Sequence, residues 1–256
     1  WLDPSMTYSS ALFSGQGETL AEAQANKYAA ICDRLQLKPG DHVLEIGCGW
    51  GGFAEYAIRE RGARVTGLTL SREQADYARR RLFEAGLAER AEIVLRDYRD
   101  ERGQYDGVAS IEMFEAVGER YWPTFFRTLH DRLRPGAVAS MQVITIADHL
   151  FAGYRSGTDF VQKYIFPGGM LPSPSEFRRH VERTGLDLVG SIEFGKDYSR
   201  TLREWRERFN ARWGEIAGLG FDPRFRRMWD FYLASCAACF AAGTTDVTQV
   251  ALRRVA

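Results

Sequence analysis

A short apolar run that ends in a cluster of glycines constrains this chain more than any other feature. HVLEIG occupies residues 42–47, and CGWGG follows directly at 48–52. An apolar run of this length bounded by glycines is typical of a strand that is buried on both faces. Glycines at the carboxyl end of such a strand let the backbone approach a ligand closely, where open α/β sheets bind cofactors. The sequence therefore predicts an α/β fold with a ligand site beginning near residue 47.

Up to residue 146, strand and helix patterns alternate around this run, which implies a parallel sheet with right-handed crossovers. The predicted helices are 17–37, 53–61, 72–85, 201–216 and 224–241. The other predicted strands are 64–70, 91–97, 106–112, 137–146, 186–194 and 246–255. Residues 147–186 show no convincing strand pattern and are rich in aromatic residues and glycines. We interpret residues 1–256 as one domain with a helical insertion at about 147–186.

Charge and composition limit the kinds of molecule that this protein is expected to bind. The chain has 34 basic and 34 acidic side chains, whereas proteins that bind nucleic acid by counterion release usually carry a basic excess. No apolar run approaches the roughly 20 residues of a membrane span. Cys236 and Cys239 lie in an apolar helical run without a nearby histidine, so we expect buried helix residues and no metal site. These features predict a cytoplasmic protein. The start at Trp1, without a methionine, suggests that an N-terminal segment precedes it.

The spacing of the glycines separates two kinds of cofactor. Residues 45–51 read E-x-G-x-G-x-G rather than the G-x-G-x-x-G of dinucleotide enzymes. The second predicted strand ends in Thr69, Leu70 and Ser71, where a nicotinamide enzyme usually places an acidic residue for the ribose. A sulfonium cofactor carries no pyrophosphate and needs only the open turn. The pattern favours S-adenosylmethionine over NAD.

Several motifs in fixed order give the chain a family resemblance. They are VLEIGCGWGGFAEYA, GLTLSREQ, DYRD, SIEMFEAVGERYW, QKYIFPGGMLPS and DYSRTLREW. From Tyr8 to the last strand the chain resembles the cyclopropane fatty acid synthases and mycolic acid cyclopropane synthases. The resemblance implies a Rossmann-like, seven-stranded class I methyltransferase fold. It also implies methyl transfer from S-adenosylmethionine to the double bond of an unsaturated acyl chain of a phospholipid.

The resemblance also assigns cofactor contacts, which lie before the first helix or at the strand ends. They are Tyr8, Ser9, Gly47, Gly49, Thr69, Gln74, Tyr98 and Ile111. Thr69 and Gln74 are neutral groups that can hydrogen-bond to ribose hydroxyls. Tyr98 is expected near the adenine.

An isolated alkene is a weak nucleophile, and its methylation leaves a carbocation that water would trap. A dry pocket with aromatic walls addresses both problems, because ring faces attract cations and apolar walls exclude solvent. The predicted wall residues are Phe114, Phe160, Tyr164, Phe166 and Trp205, together with Tyr198.

The cation must then lose a proton, and in the cyclopropane synthases the base is a bound bicarbonate. By position, its expected ligands are the side chains of Glu115, Tyr198 and Gln142 and the backbone amides of Ser10 and Ile144. Two positions depart from the family. Ser10 replaces a cysteine and can keep the amide contact. Gln142 replaces a histidine and cannot become cationic or transfer a proton as histidine can.

These departures, and Ala116 where many relatives have histidine, leave the product open. One alternative is a cyclopropane. Another is a methyl, methylene or furan-precursor fatty acid, made with a partner reductase or oxidase. A methyltransferase for a small metabolite and a non-catalytic lipid or cofactor binder are further alternatives. A phospholipid substrate implies peripheral contact with a membrane surface, for which arginines at 72–81 and 200–208 are candidates.

Overall fold

The computed structural model describes residues 1–255, in which seven strands form one sheet of order β3-β2-β1-β4-β5-β7-β6. The strands are β1 (His42–Ile46), β2 (Arg64–Thr69), β3 (Ala91–Leu95), β4 (Tyr105–Ile111), β5 (Leu133–Ile146), β6 (Leu186–Glu193) and β7 (Thr245–Arg254). The α-helices are α1 (Leu20–Leu35), α2 (Gly52–Arg61), α3 (Arg72–Glu84), α4 (Trp122–Arg132), α5 (Asp148–Ser156), α6 (Phe160–Tyr164), α7 (Pro174–Glu182), α8 (Gly195–Ala211), α9 (Trp213–Gly218) and α10 (Pro223–Ala242). The predicted α/β class with a seven-stranded sheet is confirmed.

The parallel sheet predicted from the alternating pattern up to residue 146 is confirmed, and the strands after it add one antiparallel member. β1 to β5 pair in parallel, but β7 runs antiparallel to both β5 and β6. The reason is that α8 to α10 return the chain to the edge where β6 ends. There the Gly195 N–H donates to Oδ1 of Asp246 at 2.7 Å, so the first residues of α8 and β7 touch. From this edge β7 can only run back across the sheet.

Two helix predictions need correction. α4 had no counterpart among the predicted helices, although it buries Phe125, Phe126 and Leu129 in the core. The predicted helix 201–216 is two helices, because α8 already begins at Gly195 and the chain turns at Arg212 before α9. Glycine suits the start of α8, since a Cβ there would lie 2.6 Å from Oδ1 of Asp246. Tight packing against β7 therefore sets this helix boundary.

Alternate residues of β1 point to opposite faces of the sheet and so belong to two cores. Leu44 and Ile46 pack with the aromatic residues of α4, whereas Val43 packs with residues of α1 and α2. This burial on both faces fixes the carboxyl end of β1, from which the glycine loop leaves. Between β5 and β6, α7 packs into the first core, while α5 and α6 border a cavity described below. Within residues 1–255, no helix is both long and apolar enough to cross a membrane.

Candidate active site

The glycine loop after β1 is held against the end of β2. The N–H groups of Gly47 and Cys48 donate to the carbonyl of Leu68 at 3.0 and 2.8 Å. Gly47 has φ +85°, and a Cβ there would lie 2.7 Å from Cγ of Met113. Gly49 has φ +51° and has no atom within 4 Å of its Cβ position. Gly47 is therefore needed for packing, whereas Gly49 keeps a space open.

That space belongs to a cavity of about 240 Å³, the glycine-loop cavity. Six of the predicted cofactor residues line it, namely Tyr8, Ser9, Gly47, Gly49, Gln74 and Ile111. Thr69 lies behind the wall, where its hydroxyl donates to Oε1 of Gln74 at 2.8 Å. Tyr98 lies outside the lining and packs edge-on against Phe125, with ring centroids 5.4 Å apart. Thr69 thus orients Gln74, while Tyr98 contributes to the α4 core.

The lining fits S-adenosylmethionine chemically. Glu45 is buried at the cavity, and its Oε2 has no hydrogen-bond partner among residues 1–255. Burial raises the pKa of this carboxyl to about 8. An amino-acid ammonium group would supply the missing partner and restore the charged form. Because Oε1 of Gln74 is occupied by Thr69, its N–H₂ group remains to bind a ribose hydroxyl.

A second cavity, of about 250 Å³, lies beside the first and is mainly apolar; we call it the apolar cavity. Its walls come from the N-terminal segment, the segment that follows β4, β5, the α5–α6 region, α8 and α10. They include Tyr8, Ile144, Tyr154, Val161, Phe166, Met170, Leu171, Tyr198, Leu202, Tyr232, Cys236 and Phe240.

The predicted aromatic wall is only partly the observed one. Phe166 and Tyr198 line the apolar cavity. Phe114 does not, because it is fully buried in the core and stacks on Trp122. Trp205 is also fully buried, behind the rings of Tyr8 and Tyr198.

The other two predicted wall residues lie on the outer side of α6. Phe160 packs on Phe231 of α10 with ring centroids 4.7 Å apart, and Tyr164 is half exposed. Sequence reasoning missed Tyr232 and Phe240, which line the cavity. Their signal was the i, i+4, i+8 spacing of residues 232, 236 and 240 in the α10 run. Cys239 is exposed at the cavity rather than buried.

The two cavities meet at Tyr8, Glu112 and Ala116, which line both. A polar ligand site and an apolar one therefore share these three lining residues and are direct neighbours. A methyl group presented from one side can contact a chain held on the other.

Two carboxyl groups stand at this junction. Oε1 of Glu112 accepts the Ser10 N–H at 2.8 Å and Nε2 of Gln142 at 2.7 Å. Oε1 of Glu115 accepts the Ile144 N–H, and its Oε2 has no partner among the described residues. Burial and the nearby Glu112 raise the pKa of Glu115 to about 8.

The residues expected to hold bicarbonate therefore lie close together. Their N–H groups, however, donate to the carboxylates of Glu112 and Glu115. Glu112 takes the Ser10 amide and Gln142, while Glu115 takes the Ile144 amide. Bicarbonate does not fit this arrangement, since it would lose these donors and meet like charge. Sequence reasoning missed Glu112, although a charged residue directly after the apolar run of β4 was a signal.

Lys27 supplies positive charge behind the junction. It is fully buried, and its Nζ donates to Oγ of Ser9 at 2.6 Å. Burial lowers the pKa of Lys27 to about 7, although the nearby carboxylates of Glu112, Asp3 and Glu45 oppose this shift. Burial raises the pKa of Glu112, and Lys27 opposes this shift together with the hydrogen bonds from Gln142 and the Ser10 N–H. The lysine therefore favours negative charge at Glu112.

A seven-stranded sheet with a glycine loop at the end of its first strand and a ligand cavity beyond it defines the class I S-adenosylmethionine-dependent methyltransferase fold. Two solved structures match it closely, each over 98% of this chain and 91% of the other, with a TM-score of 0.92. They are mycolic acid cyclopropane synthase CmaA1 complexed with SAH and CTAB, at 29% identity, and cyclopropane synthase MmaA2 from Mycobacterium tuberculosis, at 30%. Residues 1–250 match the mycolic acid cyclopropane synthetase family, and the chain belongs to it.

Curated relatives share this similarity along nearly the whole chain. Tuberculostearic acid methyltransferase UfaA1 of Mycobacterium tuberculosis is 45% identical over 99% of this chain and 61% of its own length. Cyclopropane-fatty-acyl-phospholipid synthase of Escherichia coli is 38% identical over 99% of this chain and 63% of its own length. The chain thus spans about three fifths of these relatives.

Proposed function

We propose that this chain transfers the methyl group of S-adenosylmethionine to a carbon–carbon double bond of an unsaturated fatty acyl chain. The observation that carries the proposal is the junction of the two cavities at Tyr8, Glu112 and Ala116. The glycine-loop cavity has the neutral and acidic groups that suit S-adenosylmethionine, and the apolar cavity has the lining that suits an acyl chain.

The residues of the apolar cavity serve the chemistry of a cation. S-adenosylmethionine supplies an electrophilic methyl group when it is bound. Tyr8, Tyr198 and Tyr232 present aromatic rings to the cavity, and ring faces stabilise positive charge. Leu202 and Phe240 exclude water that would capture the cation. The hydroxyls of Tyr8 and Tyr232 bind each other at 2.9 Å, which keeps both oxygens engaged.

We favour an open-chain methylene or methyl-branched product over a ring. Gln142 stands where the family resemblance expects histidine, and the 45% identical relative is named a tuberculostearic acid methyltransferase. A methylene product needs a hydride to become a methyl branch, so a reductase is the partner that this product requires. A cyclopropane product is the second candidate. Glu115, Tyr198 and the similarity to cyclopropane-fatty-acyl-phospholipid synthase favour it.

Access of a phospholipid to the apolar cavity suggests brief membrane contact through α6 and α10. Both helices line the cavity, and they carry Tyr164, 50% exposed, and Phe231, 54% exposed. Aromatic side chains of this kind are suited to the membrane–water interface. Arg200 is less suited to bind lipid head groups, since its guanidinium already donates to the carbonyls of Gly15 and Glu18.

The test is an assay on phospholipid vesicles with S-adenosylmethionine. We expect S-adenosylhomocysteine to form with monounsaturated phospholipid and not with the matched saturated one. Equal turnover on both vesicles, or none, would contradict the proposal. Ring and methylene products have the same mass, so ozonolysis then separates them, because it cleaves a methylene double bond and leaves a cyclopropane intact.

A further inference from the structure

We propose that Glu112 is the general base of this site, a carboxylate built into the chain where the family resemblance expects a bound bicarbonate. The inference rests on the methyl transfer proposed above and specifies how the resulting cation loses its proton.

The hydrogen bonds of Glu112 support this role. The Ser10 N–H and Nε2 of Gln142 both donate to Oε1. Because both bonds converge on Oε1, Oε2 remains to accept a proton. A carboxylate and bicarbonate present similar planar anionic oxygens. Glu112 therefore occupies the same donors permanently, without a free anion.

The backbone conformation of Glu112 also supports this role. Its φ is +49°, in the left-handed region that a non-glycine side chain rarely adopts. Its N–H donates to the carbonyl of Gln142 at 2.8 Å, which holds this conformation at the end of β4. Backbone strain of about 1 kcal/mol or more persists mainly where the surrounding structure enforces it, and such strain clusters at functional sites. A glutamate at a position suited to glycine indicates that its side chain is needed.

The position of Glu112 between the two cavities also suits a base. Its side chain lines both cavities, which is where methyl transfer would create the cation. Glu115 is the weaker candidate for the base, since burial and Glu112 raise its pKa to about 8 and keep it protonated near neutral pH. Lys27 favours the charged form of Glu112. Glu112 thus has two hydrogen-bond donors and a nearby lysine that stabilise its charged form, whereas Glu115 has one donor.

The proposed step balances. Methyl transfer breaks the sulfur–methyl bond, and the alkene electron pair forms the new carbon–carbon bond, which leaves a cation on the chain. For an open-chain methylene product, a hydride first shifts from the methylated carbon to the cationic carbon, whereas ring closure needs no shift. A carbon–hydrogen bond of the new methyl group then breaks. Its electron pair fills the cation as a double bond or a ring bond, and the proton moves to Oε2 of Glu112. Solvent later takes that proton, so no oxidant or reductant takes part.

Three forms of the chain test the inference on monounsaturated vesicles in buffer depleted of carbon dioxide and bicarbonate. Wild type should turn over equally with and without added bicarbonate. Glu112→Gln should lower turnover about 100-fold or more, in the range typical of a lost general base, and bicarbonate should not help, because the amide still fills the site. Glu112→Gly suits the local φ and vacates the donors, so bicarbonate or formate should restore part of its activity.

Binding of S-adenosylhomocysteine and cooperative thermal unfolding serve as controls, and both variants should retain measurable binding and a folded state. Residual product from the variants should carry a hydroxyl group next to the methyl branch, because water captures a cation that no base deprotonates. A wild-type rate that falls without bicarbonate, or a Glu112→Gln variant at wild-type rate, would overturn the role of Glu112 alone. A wild-type chain without lipid-dependent turnover would overturn the proposed function and this inference together.

Discussion

Gln142 donates through Nε2 to Oε1 of Glu112 at 2.7 Å, and its own Oε1 accepts Nε2 of Gln249 at 3.0 Å. Gln142 and Gln249 are direct partners in the β5–β7 ladder. Because the amide oxygen of Gln142 is occupied by Gln249, only its N–H₂ group can face the carboxylate. The sheet itself therefore orients the donor that holds Glu112, and Gln142 acts as a positioning residue.

Removing the hydrogen bond from Gln249 to Gln142 should weaken the hydrogen bond from Gln142 to Glu112. We expect Gln249→Leu to lower kcat on unsaturated vesicles about fivefold, since one neutral hydrogen bond contributes about 1 kcal/mol. Affinity for S-adenosylhomocysteine should stay unchanged, because Gln249 does not line the glycine-loop cavity. Thr248→Val, on the adjacent residue, is the control. An unchanged kcat in Gln249→Leu would show that the orientation of Gln142 is set elsewhere.

Stability should depend on pH through Glu115. Its pKa rises from 4.5 to about 8 on folding, first through burial and then through Glu112. Between these values the folded chain holds a proton that the unfolded chain releases, so stability falls as pH rises, by at most about 1.4 kcal/mol per pH unit. Glu115→Gln should flatten this slope in urea unfolding at about pH 5 and about pH 8, whereas the exposed Glu84→Gln should not. Identical slopes in wild type and Glu115→Gln would refute the shift.

The open space at Gly49 should be specific to ligand binding. Gly49 and Gly86 both have positive φ and no atom within 4 Å of a Cβ, but only Gly49 lines the glycine-loop cavity. Asparagine tolerates this conformation. Calorimetry should show that Gly49→Asn weakens S-adenosylhomocysteine binding at least tenfold, while Gly86→Asn leaves it intact. Equal affinities would place the ligand elsewhere.

The apolar cavity should be separable from the donor site. Leu202 lines only the apolar cavity, and Leu219 is 78% exposed and lines neither cavity. We expect Leu202→Trp to reduce turnover on unsaturated vesicles by at least tenfold, because the indole fills space needed by the acyl chain. S-adenosylhomocysteine should bind as before, and Leu219→Trp should behave like wild type. Full turnover in Leu202→Trp would mean that the acyl chain does not enter this cavity.

Local patterns predicted the parts of the fold that depend on local physics. The buried run of β1 and its glycine turn identified the ligand edge, and the spacing at 45–51 favoured the correct class of cofactor. Gly47 shows the limit of such reasoning, since its contact with Met113 joins β1 and β4 and depends on their pairing. The direction of β7 could not be predicted either, because α8 to α10 determine the edge from which it starts.

In the candidate site, too, local sequence predicted some residues, while others depend on tertiary contacts. Position within motifs pointed to Ser10, Gln142 and Glu115, which do meet at the junction. The missing residue was Glu112, whose role depends on a left-handed backbone and on donors from β5 and the N-terminal segment. Phe114 looked like a pocket wall because it is aromatic and lies in the same motif. Only packing against Trp122 shows that it belongs to the core.

The most direct measurement of the central claim uses S-adenosylmethionine with a trideuterated methyl group and monounsaturated phospholipid vesicles, read by mass spectrometry of the acyl chains. Proton loss from the transferred methyl group predicts one added carbon that retains two of the three deuterium atoms, with one S-adenosylhomocysteine formed per modified chain. Glu112→Gln should form this species about 100-fold more slowly or worse. Acyl chains without deuterium, despite bound cofactor and intact vesicles, would contradict the account.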